Sequence, residues 1–359
     1  MRYRTLGSSG LHVSAISLGT MTFGGGKGVL DVAVDEARAI VDTALDSGVN
    51  LIDTADVYSA GESERIVGEV IRGRRSEVIL ATKVRFPTGP GVNDEGLSRK
   101  HIFESCHASL RRLQTDYIDL YQLHGWDGAV APEETMGALA ALAASGKVRA
   151  VGCSNFSGWQ IMKSQHAAEA VGGPRHVCQQ IYYSLLSRDA EYELLPAGLD
   201  QSLGTLVWGP LAGGLLTGKY RRGQAWPHGA RHSTDWSEPP IHDWDRAFTI
   251  IEQLVAVAEQ HSAPPAQVAL AYLLHKPFVT SVIAGARSVE QLKRTLPAAD
   301  LEISDEGLSA LDRVSSSPLP YPYWHQARTI RGKLGEPERL ALSSAADVGP
   351  KPTEARGEH

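Results

Sequence analysis

Cysteine is scarce: three in 359 residues (Cys106, Cys153 and Cys178), with no CxxC pair. That excludes a disulfide framework and a zinc ribbon. A reducing, cytoplasmic setting is expected, where the sequon-like Asn155-Phe156-Ser157 has no meaning. No run approaches the ~20 apolar residues of a membrane span, and the opening MRYRTLGSSGLHVS lacks the apolar stretch of a signal peptide. Basic residues are in deficit, 35 Lys and Arg against 41 Asp and Glu, a net charge of −6. With no basic block either, nucleic acid is not the expected partner. Aromatics make up only 7% of the chain, and no tryptophan precedes Trp126. No GxGxxG follows a strand, so the two domains suggested by ~150 residues per domain lack a dinucleotide fingerprint.

What the chain does have is a repeated alternation. Eight short apolar runs of strand length occur at 15–19, 49–54, 78–83, 117–124, 148–154, 176–181, 205–208 and 280–285. They are continuous rather than alternating, as strands buried on both faces are. Helix-length amphipathic segments separate most of them, at 35–47, 63–72, 98–112, 132–145, 158–170 and 189–202. The pattern predicts an α/β fold, a single (β/α)8 TIM barrel over residues 1–325. Residues 3–13, with Gly7-Ser8-Ser9-Gly10 at their centre, predict an added N-terminal β-hairpin. Residues 209–243 are too long for an ordinary connection and read as a functional loop after the seventh barrel strand. Residues 326–359, charged and free of aromatics, read as a weakly ordered tail with a short helix at 336–343.

Position then separates chemistry from packing. In such barrels the reacting groups sit where strands end. Here the strands finish in Asp53, Lys83, His124, Ser154-Asn155, Gln180 and Trp208, and Tyr58 follows Asp53 by five residues. Buried charges are expensive unless paired, so Asp53 and Lys83 are expected to meet. A tyrosine hydroxyl titrates near ~10, and an adjacent ammonium is expected to lower that value. His124 would polarise a carbonyl oxygen. Together the four make a general acid that needs no metal.

Asp53, Tyr58, Lys83 and His124 resemble the catalytic tetrad of the aldo-keto reductase superfamily. The flanking text agrees: YRTLGSSGLHVSAISLGTMTFGG, NLIDTADVYSAGESE, DYIDLYQLHGWD, GKVRAVGCSNFS, YYSLLSRDAE, GPLAGGLLTGKY and SVIAGARSVEQL. The resemblance covers about residues 1–325 and is strongest to the bacterial branch related to potassium-channel β subunits. It implies NADP(H)-dependent reduction of an aldehyde or ketone, reversible, with Tyr58 as the proton donor; NADH is not excluded. It further implies that Ser154, Asn155 and Gln180 hold the carboxamide and Trp208 stacks on the nicotinamide. Gly19 and Thr20 would line the cofactor cleft, while Pro210, Leu211, Gly213, Leu215 and Lys219 clasp the pyrophosphate. At the adenine end Gly285, Arg287 and Gln291 are kept, but Arg294 and Thr295 stand where the family has an acid and an amide. Two arginines there favour a 2′-phosphate.

Competing readings are specific. GGLLTGK at 213–219 nearly matches a phosphate loop, yet residue 220 is Tyr rather than the hydroxyl that binds magnesium. His228, His232 and His242 share a loop without a supporting carboxylate or cysteine pattern, so no metal is expected. Ser63 and Glu64 read as helix caps. Trp126 is expected in the substrate wall, as are Trp226 and Trp236. Tyr321 to Trp324 would fold over the mouth. A Schiff-base aldolase using Lys83 is disfavoured, because Asp53 would keep the amine protonated. The alternative from another class is a nucleotide-binding, redox-sensing regulatory subunit with little turnover. The expected partner is a small carbonyl compound, with neither nucleic acid nor membrane, and a homo-oligomer is compatible with the sequence.

Overall fold

Residues 1–25, 32–226, 232, 238–329 and 333–343 are described in the computed structural model. Strands β1 (Tyr3–Thr5) and β2 (His12–Ser14) pair as an antiparallel hairpin. The eight that follow are β3 (Ile16–Gly19), β4 (Leu51–Asp53), β5 (Ile79–Val84), β6 (Ile118–Leu123), β7 (Val148–Ser154), β8 (Cys178–Tyr182), β9 (Gly204–Trp208) and β10 (Ser281–Gly285). They are parallel and close into a barrel in chain order, β10 pairing with both β9 and β3. All eight expected strands and the hairpin are present. Their near-continuous burial explains the absence of polar alternation in the sequence.

The hairpin plugs one end of this barrel. Leu6 and Val13, fully buried, pack with Leu51, Ala81, Leu120, Cys178 and Leu206 in the barrel interior. The turn can approach so closely because residue 7 is glycine. Its φ is +56°, and a Cβ there would lie 2.1 Å from the Val177 carbonyl oxygen. No L side chain fits that conformation without strain. Outside the barrel, two apolar clusters fill the space between strands and helices, one on each side of the ring.

Helices lie at Val34–Asp46, Glu62–Val70, Arg99–Leu113, Pro132–Ala144, Gly158–Ala170 and Leu194–Asp200, followed by Trp244–Gln260, Pro265–His275, Val289–Thr295 and Asp305–Ser315. Asp243, Ser98, Ser288 and Ser304 cap four of them through their side chains. Two short helices follow, Tyr323–Thr329 and Glu336–Ser343. In the second, Ala341 is fully buried and Leu340 packs against one of the apolar clusters. Of the long loop, residues 227–231 and 233–237, including His228 and Trp236, lie outside the described residues, as do residues 344–359.

Two helical glycines should respond oppositely to alanine. A Cβ at Gly137 meets nothing within 4 Å, so Gly137→Ala should gain about 0.5–1 kcal/mol from helix propensity. A Cβ at Gly68 would lie 2.4 Å from the Leu113 carbonyl oxygen and 2.6 Å from its Cα, backbone that cannot rotate away. Gly68→Ala should therefore lose about 1–3 kcal/mol despite the same propensity gain. Thermal unfolding of the two variants checks both signs.

Candidate active site

The opposite end of the barrel gathers the ionisable groups. Lys83, on β5 and with no exposed surface, places Nζ 2.6 Å from Asp53 Oδ2, 2.8 Å from the Thr54 carbonyl and 3.3 Å from the Tyr58 hydroxyl oxygen. An ammonium has three protons, and each has its acceptor. Asp53 is equally well supplied: its Oδ1 accepts from Gln122 Nε2 at 3.2 Å and Gln180 Nε2 at 2.9 Å. Since Lys83 donates to Tyr58, the phenol keeps its own proton for another acceptor. Tyr58 makes no second hydrogen bond among the described residues, and its ring is only half-buried.

Burial alone would lower the Lys83 ammonium, but Asp53 and Tyr58 outweigh it and hold it above its ordinary value. So held, Lys83 is no nucleophile. Burial also raises the Tyr58 hydroxyl, and Lys83, pulling the other way, only partly offsets it. The expectation that the ammonium leaves the phenol below its normal value is thus overturned: desolvation of the phenolate is the larger effect. His124 stands edge-on to Tyr58, ring centroids 5.9 Å apart, and to Phe86 at 4.8 Å. Burial first, then the Lys83 and Arg85 cations, push its imidazole well below the usual range, so the ring is neutral at pH 7.

The remaining expected site residues form two groups. Around the mouth, Ser154 Oγ donates to the Gln180 carbonyl at 3.0 Å, and Asn155 Nδ2 donates to the His124 carbonyl at 3.1 Å. Trp208 Nε1 donates to Asn155 Oδ1 at 3.0 Å, and its ring meets Tyr182 edge-on at 4.8 Å. Thr20 Oγ1 donates to the Asp53 carbonyl at 3.0 Å. The second group follows the rim. Gly285 at the end of β10 pairs in register with Gly19, and a Cβ on it would meet only the Gly19 carbonyl oxygen, at 3.6 Å. A Cβ on Gly19 would lie 2.9 Å from Ile283 Cγ2, whereas open space lies over Gly285. Arg287 and Arg294 are exposed beyond it, with Arg294 ion-paired to Glu290 at 3.4 Å. Gln291 Oε1 accepts from the Arg287 backbone N–H at 2.9 Å. After β9, Pro210 and Leu215 are buried, Leu211 and Gly213 half-buried, and Lys219 exposed. A cleft of about 410 Å³ opens beside Tyr182 and Trp208, bounded by residues 238–243 and the helix Trp244–Gln260.

Three readings change. Ser63 and Glu64 do not cap a helix. They are buried inside Glu62–Val70, where Ser63 meets Thr20 and Thr54 and Glu64 takes Thr82 and Arg112. Trp226 packs on Tyr220 and Trp244 rather than at the mouth. Tyr323 lies against Tyr192, and Trp324 lies beside Tyr321 and His325, so the ring contacts of this segment are with these residues and not with the four central ones. Trp126 does stand next to the site, two residues beyond His124, edge-on to Phe156 and Trp159. Among the described residues no group of three or more His, Cys, Asp or Glu is arranged to hold a metal, and no helix is long and apolar enough to cross a membrane.

A family model described as the aldo/keto reductase family matches residues 15–316. The chain belongs to that family. Among its relatives are the uncharacterized oxidoreductase YrpG of Bacillus subtilis, 39% identical over 89% of this chain and 97% of the relative, and Protein tas of Escherichia coli, 36% identical over 88% and 97%. A probable voltage-gated potassium channel subunit beta of Arabidopsis thaliana is 36% identical over 84% and 92%. The chain is an aldo/keto reductase by family and an oxidoreductase by class.

Sequence reasoning passed over Gln122, whose signal was available: it lies on β6 two residues before His124, which directly follows that strand. It also passed over Asp56. This carboxyl is 2% exposed, and neither oxygen has a hydrogen-bond partner in good geometry. Burial and the facing Glu64 raise it to about 8, against weaker opposition from Arg112, the nearby Val57 N–H and Lys83. Its ordinary value is ~3.9, so the folded protein holds a proton that the unfolded chain releases above that pH. The stability tied to this proton is full below pH ~4 and is lost as pH rises through about 8. Asp56→Asn, which mimics the neutral form, should remove that loss. In urea titrations from pH 5 to 8.5 the variant should gain on the parent steadily as pH increases; a constant difference would mean that Asp56 is ionised in the fold.

Proposed function

We propose that this aldo/keto reductase reduces an aldehyde or ketone to the alcohol, reversibly, using NADPH, with Tyr58 as the general acid. The observation that carries the reading is the closed hydrogen-bond set of Lys83, which uses Tyr58 as an acceptor and leaves the phenol proton without an acceptor among the described residues. Bound above the mouth, the reduced nicotinamide would supply the hydride. Side-chain-free Gly19 and Gly285 and the half-buried Trp208 fit a flat ring there. Ser154, Asn155 and Gln180 offer polar atoms for its carboxamide, and Thr20 lines the approach.

The chain's own part follows from its electrostatics. A Tyr58 hydroxyl above its ordinary value stays protonated at neutral pH and gives up its proton only as negative charge grows on the carbonyl oxygen. Lys83 stabilises the phenolate left behind, and Asp53 keeps Lys83 in place. A neutral His124 can donate a ring N–H to the same oxygen. Pro210, Leu211, Gly213, Leu215 and Lys219 would clasp the pyrophosphate. Arg287 and Arg294 would read the 2′-phosphate, whose geometry suits a guanidinium.

Similarity to the plant channel subunit supports a second reading, a nucleotide-sensing regulatory subunit with little turnover. One experiment separates the two. With NADPH and a set of benzaldehydes, the wild type should oxidise the cofactor, and Tyr58→Phe should lower kcat at least ~100-fold while fluorescence-detected NADPH binding stays intact. Equal turnover by both proteins would remove Tyr58 from the reaction. Tight binding without turnover by either would favour the regulatory reading.

A further inference from the structure

The substrate side of the mouth carries a charge that nothing described answers. Arg85 follows Lys83 by two residues at the end of β5, and its half-buried guanidinium makes no hydrogen bond or ion pair with any described residue. Its backbone is fixed, since the Arg85 carbonyl accepts from Gly96 N–H at 2.8 Å. Its side chain is placed as well. Cδ and Nε lie 3.6 Å from where a Cβ on Gly125 would stand, so the stem crosses the chain between His124 and Trp126 over a residue with no side chain. The guanidinium carbon is 5.0 Å from the Phe86 ring centroid, and Phe86 in turn stands edge-on to His124 at 4.8 Å. The cation is close enough to His124 to help keep that imidazole neutral. Trp126, backed by Phe156 and the largely exposed Trp159, continues the same apolar rim.

We propose that Arg85 is a specificity residue that recognises a carboxylate on the substrate, so that the preferred substrates are carbonyl compounds joining a planar apolar body to an acid group. The fork of a guanidinium matches two carboxylate oxygens. Phe86 and Trp126 supply faces and edges for the body between the acid and the carbonyl. Arg85 is set apart from Lys83, whose charge Asp53 neutralises. It acts on selection and not on the proton. The inference rests on the carbonyl reduction proposed above.

The test compares 2-, 3- and 4-carboxybenzaldehyde with their methyl esters, and with 4-formylphenyl phosphate, in wild type, Arg85→Ala and Arg85→Lys. At least one acid should exceed its ester in kcat/KM. Arg85→Ala should cut the acid's kcat/KM by about 10- to 100-fold, the range of one or two charge-assisted hydrogen bonds, and change the ester's less than about threefold. Arg85→Lys should recover part of the loss, and the acid's advantage should shrink with added salt. Equal loss on acid and ester, or no preference in the wild type, overturns the proposal. A phosphate favoured over every carboxylate overturns the assignment to carboxylate. If no aldehyde is turned over, it is the proposed reaction that fails, and tryptophan-quench titration with the hydroxymethylbenzoates, the corresponding alcohols, still decides. Binding weakened about tenfold by Arg85→Ala, with their methyl esters unaffected, supports the anion site; undiminished binding overturns it.

Discussion

The ion pair between Lys83 and Asp53 sets the terms for the rest of the mouth. Both groups are almost completely out of water, where removing solvent from two charges costs several kcal/mol per ion and attraction offsets it only with full hydrogen bonding. That condition recruits residues from distant parts of the chain. Thr54 lends a carbonyl, β6 lends Gln122 and β8 lends Gln180, 127 residues from Asp53. A pair inside a barrel can collect such help because parallel strands bring their ends to one level. Tyr58 is the half-buried member of this network, where Lys83, Asp53, Gln122 and Gln180 are almost completely covered. A requirement of burial thus ends in directed chemistry: the phenol that accepts from Lys83 keeps its own proton for another acceptor.

The two ends of the barrel divide the work. At the hairpin end the interior is apolar, Leu6 and Val13 among Leu51, Ala81 and Leu120, and close backbone approach at Gly7 seals it. The one ionisable side chain of that cluster, Cys178, is kept a neutral thiol by burial. At the other end the interior holds a lysine, an aspartate and two glutamines, none of which adds hydrophobic stabilisation. Asp56 extends this polar layer outward, its carboxyl facing Glu64 across from Arg112. The helix Glu62–Val70 consequently serves as a second wall to the site. Ser63 ties it to β3 and β4, and Glu64 ties it to β5 through Thr82.

This explains which features were legible in the sequence. Strands and their polar last residues could be read because a doubly buried strand has few polar positions, so each one is conspicuous. Asp53, Lys83 and His124 were visible for that reason, and Tyr58 through its spacing from Asp53. Gln122 was hidden by lying inside its run rather than at the end, where His124 drew attention, although period-two alternation from His124 points to it. Ser63 and Glu64 misled because a Ser-Glu pair at a helix start has a local use, capping, and a tertiary one, inter-element hydrogen bonding. Only the packing of the helix on β3 to β5 decides between them. The phenol's direction misled for a related reason. Attraction by a lysine is apparent from the pair, whereas desolvation depends on everything around it.

Charge placement, not net charge, governs what approaches the mouth. A chain at −6 repels anions on average, but screening confines that average to about a Debye length, ~8 Å at physiological salt. Within that distance of His124, the Lys83 charge is cancelled by Asp53 and the Arg85 charge is not. The histidine stays neutral first because it is buried, and then because adding its proton would put a third cation beside these two. A neutral imidazole can still give a hydrogen bond, and giving up the charge leaves Arg85 as the cation near it that no described carboxylate pairs. The same field would favour negative charge growing on a carbonyl oxygen and an acid group at the far end of the molecule that carries it. Selection and reaction would then draw on one electrostatic bias, built from two cations of β5 and its end, one answered by a carboxylate and one not.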